Sequence, residues 1–331
     1  MTRPAVLGSP VVTDTQIRHR TIRTNGIDMH VAEAGEGPPV VLCHGFPELW
    51  YSWRHQLPVL AEAGYHVIAP DQRGYGETTA PADIADYDIL HLSDDLLGLL
   101  DALGYERAVF AGHDWGAPVV WHLAQRVPER VAGVVGLSVA CTPRPPMPPI
   151  QLFKALFGDT FFYILYFQEP GVADEELGRD TERSLRAFYW TISGDSPEGA
   201  FKVLPAEGTG LLDALSDTEV QPDWFTADDL AVYTAAFRRT GFTGGLNWYR
   251  NFDRNWELTA SLADGKVEVP AFFIAGQRDP VVLAAPPEVM ETTVADLRGT
   301  VLIPGVGHWT QQEAPGVVND ALLGFLREIG W

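Results

Sequence analysis

AVFAGHDWGAPVVWHLA, residues 108–124, is the stretch that decides how the chain is read. Ala108-Val109-Phe110-Ala111 is a short apolar run that predicts a strand. Gly112-His113-Asp114-Trp115-Gly116 then predicts a sharp turn. Val119, Val120, Leu123 and Ala124 follow at helical spacing and predict a helix. Glycines two positions either side of Asp114 let strand and helix approach closely. The middle residue is left in a strained turn, with its side chain in the open above a helix N-terminus. A carboxylate in that place attacks without first losing a proton, but the ester it forms must be hydrolysed in a second step. A G-x-D-x-G match on its own is common in loops. The rest of the chain must therefore supply an oxyanion hole, a base and an orienting acid.

Composition narrows the choices. A chain of 331 residues can bury a large core, and 46% hydrophobic with 20% charged residues is ordinary for a soluble enzyme. A net charge of −21 argues against nucleic acid or an anionic membrane as partner. Two cysteines, Cys43 and Cys141, give neither a disulfide framework nor metal-ligand spacing, and fit a reducing compartment, the cytoplasm. Residues 1–20 carry Arg3, Arg18 and Arg20 without a continuous apolar core, so no signal peptide is expected. The apolar run at residues 153–167 is interrupted by Lys154, Asp159 and tyrosines, and does not read as a membrane span.

Outward from the central stretch, the pattern alternates. Residues 17–24 and 27–33 flank Asn25-Gly26 and predict an antiparallel hairpin. Residues 39–42, 65–69 and 131–139 are short apolar runs suited to buried parallel strands. A helix is expected over 53–63, and a clear amphipathic one over 89–103. Alternating strands and helices imply an α/β fold with a mostly parallel central sheet and helices on both faces. Five prolines within residues 142–149 then mark a boundary. From residue 150 to 256 the chain reads as helical and rich in aromatics, which predicts an inserted all-helical lid. The sheet resumes at 271–275 and 300–303, and a helix over 316–329 closes the chain. The expected domains are a core of residues 1–141 and 257–331 and a lid of 142–256.

The loop after residues 271–275 carries Asp279, and the loop after 300–303 carries His308. Nucleophile, acid and base thus come in the order of the α/β-hydrolase fold, at the ends of strands expected to be consecutive. His308 would activate a water, and Asp279 would fix its tautomer and stabilise the imidazolium. In His44-Gly45-Phe46-Pro47, after a central strand, the Phe46 N–H is placed to form an oxyanion hole with the Trp115 N–H. His44, His91 and His113 are read as structural, because sequence order gives them no acid partner. Metal ligation by His44 with His113 is the lesser alternative, and no metal or cofactor is expected.

Several longer stretches carry a resemblance: HGFPELWYSWRHQ from His44, APDQRGYGET from Ala69, GHDWGAPVVW from Gly112, YFQEPGVAD from Tyr166, LNWYRN from Leu246 and GHWTQQE from Gly307. On these the chain resembles the epoxide hydrolases of the α/β-hydrolase superfamily, such as the hydrolase domain of the soluble mammalian enzyme and its bacterial relatives. The resemblance implies Asp114 as nucleophile, His308 as base, Asp279 as orienting acid, and Phe46 and Trp115 as oxyanion-hole donors. It also implies two lid tyrosines, Tyr163 and Tyr249, that hydrogen-bond the epoxide oxygen. A cis Phe46-Pro47 peptide bond and a role in detoxification go with it. Residues 196–223 match the family poorly and are expected to shape substrate choice.

Chemistry alone supports the tyrosines more weakly. Ring opening expels an alkoxide, which needs a proton donor. A neutral phenol in the lid is suitable, but Tyr166 and Tyr189 compete for the part. The expected substrate is a small apolar epoxide, taken by a monomer or homodimer. A haloalkane dehalogenase shares the Asp nucleophile and His base, but needs N–H donors such as tryptophan for halide. A non-catalytic small-molecule receptor on the same fold would not require nucleophile, acid and base together. A serine esterase is disfavoured by Asp114.

Overall fold

The structure, a computed structural model, describes residues 16–216 and 219–331. The leader question at residues 1–15, and positions 217 and 218 of the poorly matched segment, lie outside the described residues.

Among the described residues, eight strands form one sheet in the order β1-β2-β4-β3-β5-β6-β7-β8. They are β1 Arg18–Thr24, β2 Ile27–Ala34, β3 Pro39–Cys43, β4 His66–Pro70, β5 Ala108–His113, β6 Val131–Leu137, β7 Ala271–Gly276 and β8 Leu297–Ile303. The β1–β2 and β2–β4 pairs are antiparallel and the other pairs are parallel. At the hairpin tip Asn25 and Gly26 take φ of 39° and 80°, the paired positive values that Asn-Gly favours.

Side-chain alternation along the central strands sorts two cores. Val41, Phe110 and Val134 face one way and Val40, Val109 and Val135 the other. Helix α1 (Leu57–Glu62) packs on the second face, while α2 (Ile89–Leu103) and α3 (Gly116–Arg126) pack on the first. Helix α2 buries Leu92, Leu96, Leu99 and Leu100, each contributing about 2 kcal/mol. Asp88 caps its N-terminus by accepting from the backbone N–H groups of Leu90 and His91, and Gly104 ends it at φ 78°.

Among the described residues, eight α-helices run between β6 and β7: α4 Pro149–Phe157, α5 Tyr163–Tyr166, α6 Val172–Arg179, α7 Thr181–Thr191, α8 Leu211–Ala214, α9 Ala227–Thr240, α10 Thr243–Arg250 and α11 Phe252–Leu258. Among the described residues this stretch holds no strand, only an isolated bridge between Thr160 and Pro205. After β7 come α12 Pro280–Ala284 and α13 Met290–Thr293; after β8 come α14 Thr310–Glu313 and α15 Pro315–Glu328. Helix α15 joins α1 on the second face through Val318, Leu322 and Phe325. Among the described residues no helix is long and apolar enough to cross a membrane.

Three expectations are corrected. The helix expected over 53–63 is a single 3₁₀ turn at Trp50–Trp53 followed by α1, because Pro58 fits only the first turn of a helix. Strand β6 ends at Leu137, and Ser138 turns out of it with φ 66°. The strands before Asp114 and Asp279 are not consecutive: β6 lies between β5 and β7.

Candidate active site

Asp114 follows β5 at the turn into α3, with φ of 49°. That strain is set by packing on both sides. A Cβ on Gly112 would lie 2.2 Å from the Gly116 carbonyl oxygen, and one on Gly116 would lie 2.2 Å from the Cys43 carbonyl oxygen. Only glycine lets β5, α3 and the end of β3 meet here, and the non-glycine residue at the apex takes the left-handed conformation.

The loop after β3 brings the Phe46 N–H to Asp114, where it donates to Oδ1 at 2.8 Å. Trp115 caps the N-terminus of α3, so its N–H belongs to the unpaired donors of the first helical turn. The Phe46-Pro47 bond is cis. On the other side of the carboxylate, His308 Nε2 stands 3.4 Å from Asp114 Oδ2. His308 Nδ1 lies 3.1 Å from both Asp279 oxygens, and Asp279 is fully buried. Burial opposes charge on His308, but Asp279 and then Asp114 outweigh it and hold its pKa well above the ordinary histidine value.

Above Asp114 the insert contributes two phenols. The Tyr163 and Tyr249 rings meet edge to face with centroids 6.0 Å apart. Burial, then the neighbouring Asp114 charge, raises both hydroxyls above the usual tyrosine range; for Tyr249 the Trp115 side chain pulls slightly the other way. Both stay neutral, and so remain donors, at any working pH. Asp114, Trp115, Tyr163 and Tyr249 line one cavity of about 690 Å³, whose wall includes Phe153 and Phe252. The competing tyrosines are committed elsewhere. Tyr166 donates to Glu176 Oε2 at 2.8 Å, and Tyr189 is stacked between Phe225 and Trp309, with centroids 4.2 Å away on each side.

Two of the three histidines read as structural, His113 and His91, do have acid partners. His113 Nδ1 lies 2.6 Å from Glu48 Oε2 and its Nε2 lies 2.8 Å from the His308 carbonyl oxygen. Glu48 also accepts from the Gly45 N–H at 2.8 Å and from the Gln311 side chain at 3.0 Å. One buried pair thus joins the Phe46 loop, the Asp114 strand and the His308 loop. Burial alone would raise the Glu48 carboxyl, but His113 beside it brings it down to about 2. His91 meets Asp88 at 2.8 Å. His44 donates to the Gly45 carbonyl at 2.9 Å and accepts from the Gln72 N–H at 3.0 Å, so neither ring nitrogen is left for a metal. Glu313 is another group that sequence reasoning passed over. Its carboxylate accepts from the N–H groups of Gly194, Gly307 and Trp309, and burial raises it to about 7 against those donors. The available signals were an acid inside the apolar run FPELW and another closing GHWTQQE.

Comparison with known proteins gives the family. Residues 38–164 match the family model described as the alpha/beta hydrolase fold. Epoxide hydrolase A of Mycobacterium tuberculosis is 52% identical over 313 residues, covering 93% of this chain and 96% of that protein. The crystal structure of Epoxide Hydrolase A from Mycobacterium thermoresistibile superposes with a TM-score of 0.90 at 54% identity, covering 94% of this chain and 98% of that one. An epoxide hydrolase from an endophytic Streptomyces gives a TM-score of 0.91 at 39% identity, over 95% and 96% of the two chains. With Asp rather than Ser at the apex of the turn, and with likeness running over nearly its whole length, the chain belongs to the epoxide hydrolases of the α/β-hydrolase fold.

Proposed function

We propose that the chain converts an apolar epoxide and water to a vicinal diol in two steps, through an ester on Asp114. In the first step Asp114 Oδ2 attacks a ring carbon. The carbon–oxygen bond of the ring breaks, and Tyr163 and Tyr249 donate hydrogen bonds to the oxygen as it gains charge; the alkoxide then takes a proton from solvent, matched by the one that His308 releases as Asp114 loses its charge. In the second step His308 takes a proton from a water, and the hydroxide attacks the ester carbonyl carbon. The oxyanion forms at Oδ1, where the Phe46 and Trp115 N–H groups receive it. The acyl–oxygen bond then breaks, the departing oxygen takes the proton from His308, and the diol leaves with the oxygen that Asp114 first gave, while the acid left on Asp114 returns its proton to His308.

The observation that carries this reading is the placing of Asp114 between two neutral phenols and a histidine–carboxylate pair. Electrostatics also order the steps. With Asp114 ionised, His308 is favoured as the cation and steadies the nucleophile. Once Asp114 becomes a neutral ester, that support vanishes and the His308 pKa falls, so alkylation itself turns His308 into a base.

The proposed division is a core of residues 1–141 and 257–331 beneath a lid of 142–256, with the lid supplying the donors and most of the aromatic wall. Each chain carries a full set of the proposed groups, which suits a monomer or a homodimer alike. The acidic surface argues against nucleic acid as a partner, and the two free cysteines suit the cytoplasm.

A dehalogenase would need free indole N–H groups for halide. Two tryptophans line the cavity with Asp114, and both indoles are engaged: Trp256 donates to the Pro145 carbonyl at 2.9 Å, and Trp115 is hydrogen-bonded to Tyr249. A receptor without chemistry has no use for the assembled nucleophile, acid and base. Assays with styrene oxide and with 1-chlorobutane separate the three: diol from the first and no chloride from the second is the expected result. Chloride release would favour the dehalogenase, and silence in both assays the receptor.

A further inference from the structure

The turn that follows α7 is held directly against the loops carrying the proposed acid and base. The Arg278 guanidinium donates to the carbonyls of Gly194 and Ser196. The His308 N–H donates to the Ile192 carbonyl at 2.8 Å, and the Trp309 indole N–H to the Tyr189 carbonyl at 3.0 Å. Two glycines make the contact close: a Cβ on Gly194 would lie 2.0 Å from the Gly305 carbonyl oxygen, and one on Gly307 would lie 2.3 Å from the Gly194 nitrogen. At the centre is one carboxylate. Glu313 Oε2 accepts from the Gly194 and Gly307 N–H groups, each at 2.8 Å, and Oε1 accepts from the Trp309 N–H at 3.0 Å.

We propose that Glu313 is a positioning residue for the second chemical step: it grips the backbone on both sides of His308 and fastens it to the Gly194 turn. The proposal rests on the two-step reading above. Gly307 and Trp309 are the immediate neighbours of His308, so a carboxylate holding both N–H groups fixes the backbone from which the imidazole projects. His308 Nε2 is 3.4 Å from Asp114 Oδ2, and in the second step it must reach a water placed against the ester carbon. A displacement of about 1 Å there costs on the order of a hundredfold in rate. Alkylation asks less of His308, because Asp114 attacks as an anion without a base. Loss of Glu313 should therefore divide the two steps, which a general loss of structure would not do.

Glu313→Gln keeps the shape. Its amide oxygen accepts from Gly194 and Gly307, but its NH₂ then faces the Trp309 N–H, donor against donor. The experiment is rapid mixing of wild type and variant with a slowly hydrolysed epoxide, following ester formation and decay by quenched intact mass. We expect ester decay to slow about tenfold or more, alkylation to change far less, and ester to accumulate. Gly194→Ala attacks the same junction from the insert side and should give the same split. Equal slowing of both steps, or wild-type decay in both variants, overturns the proposal. If wild type itself forms no ester, the two-step reading fails, and the proposal with it.

Discussion

Replacing each lid tyrosine with phenylalanine removes one hydroxyl and little else, so the pair measures how the ring oxygen is stabilised. A hydrogen bond to a group that becomes charged is worth about 1.5–3 kcal/mol. Each loss should therefore slow alkylation by roughly ten- to a hundredfold. Both hydroxyls are buried beside Asp114 in one cavity, so the two single variants should fall within the same range. The double variant should be nearly inactive, because the alkoxide then leaves without a donor. Tyr166→Phe breaks only the contact to Glu176 and should alkylate as wild type does. The assay is single-turnover quenching with enzyme in excess, which isolates ester formation from its hydrolysis. Wild-type alkylation rates in both Tyr163→Phe and Tyr249→Phe would refute the donor assignment and revive the dehalogenase alternative.

Three further outcomes are expected. His308→Gln should be alkylated but not deacylated, giving a stable adduct on a peptide containing Asp114 by mass spectrometry; an adduct elsewhere, or full turnover, would remove His308 from its place. The charges of Asp279 and Asp114 favour the His308 cation in the free enzyme, and esterification removes the second of these charges. The rate of ester hydrolysis should rise with pH through an apparent pKa lower than the one that His308 shows in the free enzyme by NMR, and an equal or higher value would contradict the coupling. Asp95 accepts from the Arg73 guanidinium at 2.6 and 2.8 Å, with both side chains almost fully buried. Asp95→Ala strands that cation and should cost about 3–5 kcal/mol in urea unfolding; a loss below about 1 kcal/mol would show that water reaches Arg73.

Local rules made much of the fold legible. Asn25-Gly26, the apolar stripe of Ile89–Leu103 and the G-x-D-x-G turn each signal themselves within a few residues, and each stands where it was expected. The order of Asp114, Asp279 and His308 along the chain was legible for the same reason, since each follows a recognisable strand. What stayed hidden depends on distance in sequence. Glu48 and His113 are 65 residues apart and meet only because β3 and β5 are neighbours in the sheet. Glu313 and Gly194 are 119 residues apart, and no periodicity links them. The selection of Tyr163 and Tyr249 over Tyr166 and Tyr189 came from family likeness. Its physical basis is visible only in three dimensions, where the second pair is already bonded or stacked. The broken helix at 53–63 was an error of pattern over chemistry, since Pro58 was in plain view.

The origin of the diol oxygen tests the central claim most directly. Wild-type enzyme in excess is mixed with an epoxide in water enriched in heavy oxygen and allowed one turnover. If Asp114 attacks carbon, the oxygen given to the diol is its own Oδ2, and water refills the carboxylate. The diol should then be almost unlabelled, and a peptide containing Asp114 should gain one heavy oxygen. If His308 instead drives water directly onto the epoxide, the first diol carries the label and Asp114 stays light. Labelled diol in the first turnover would reduce Asp114 to electrostatic support and contradict the ester mechanism.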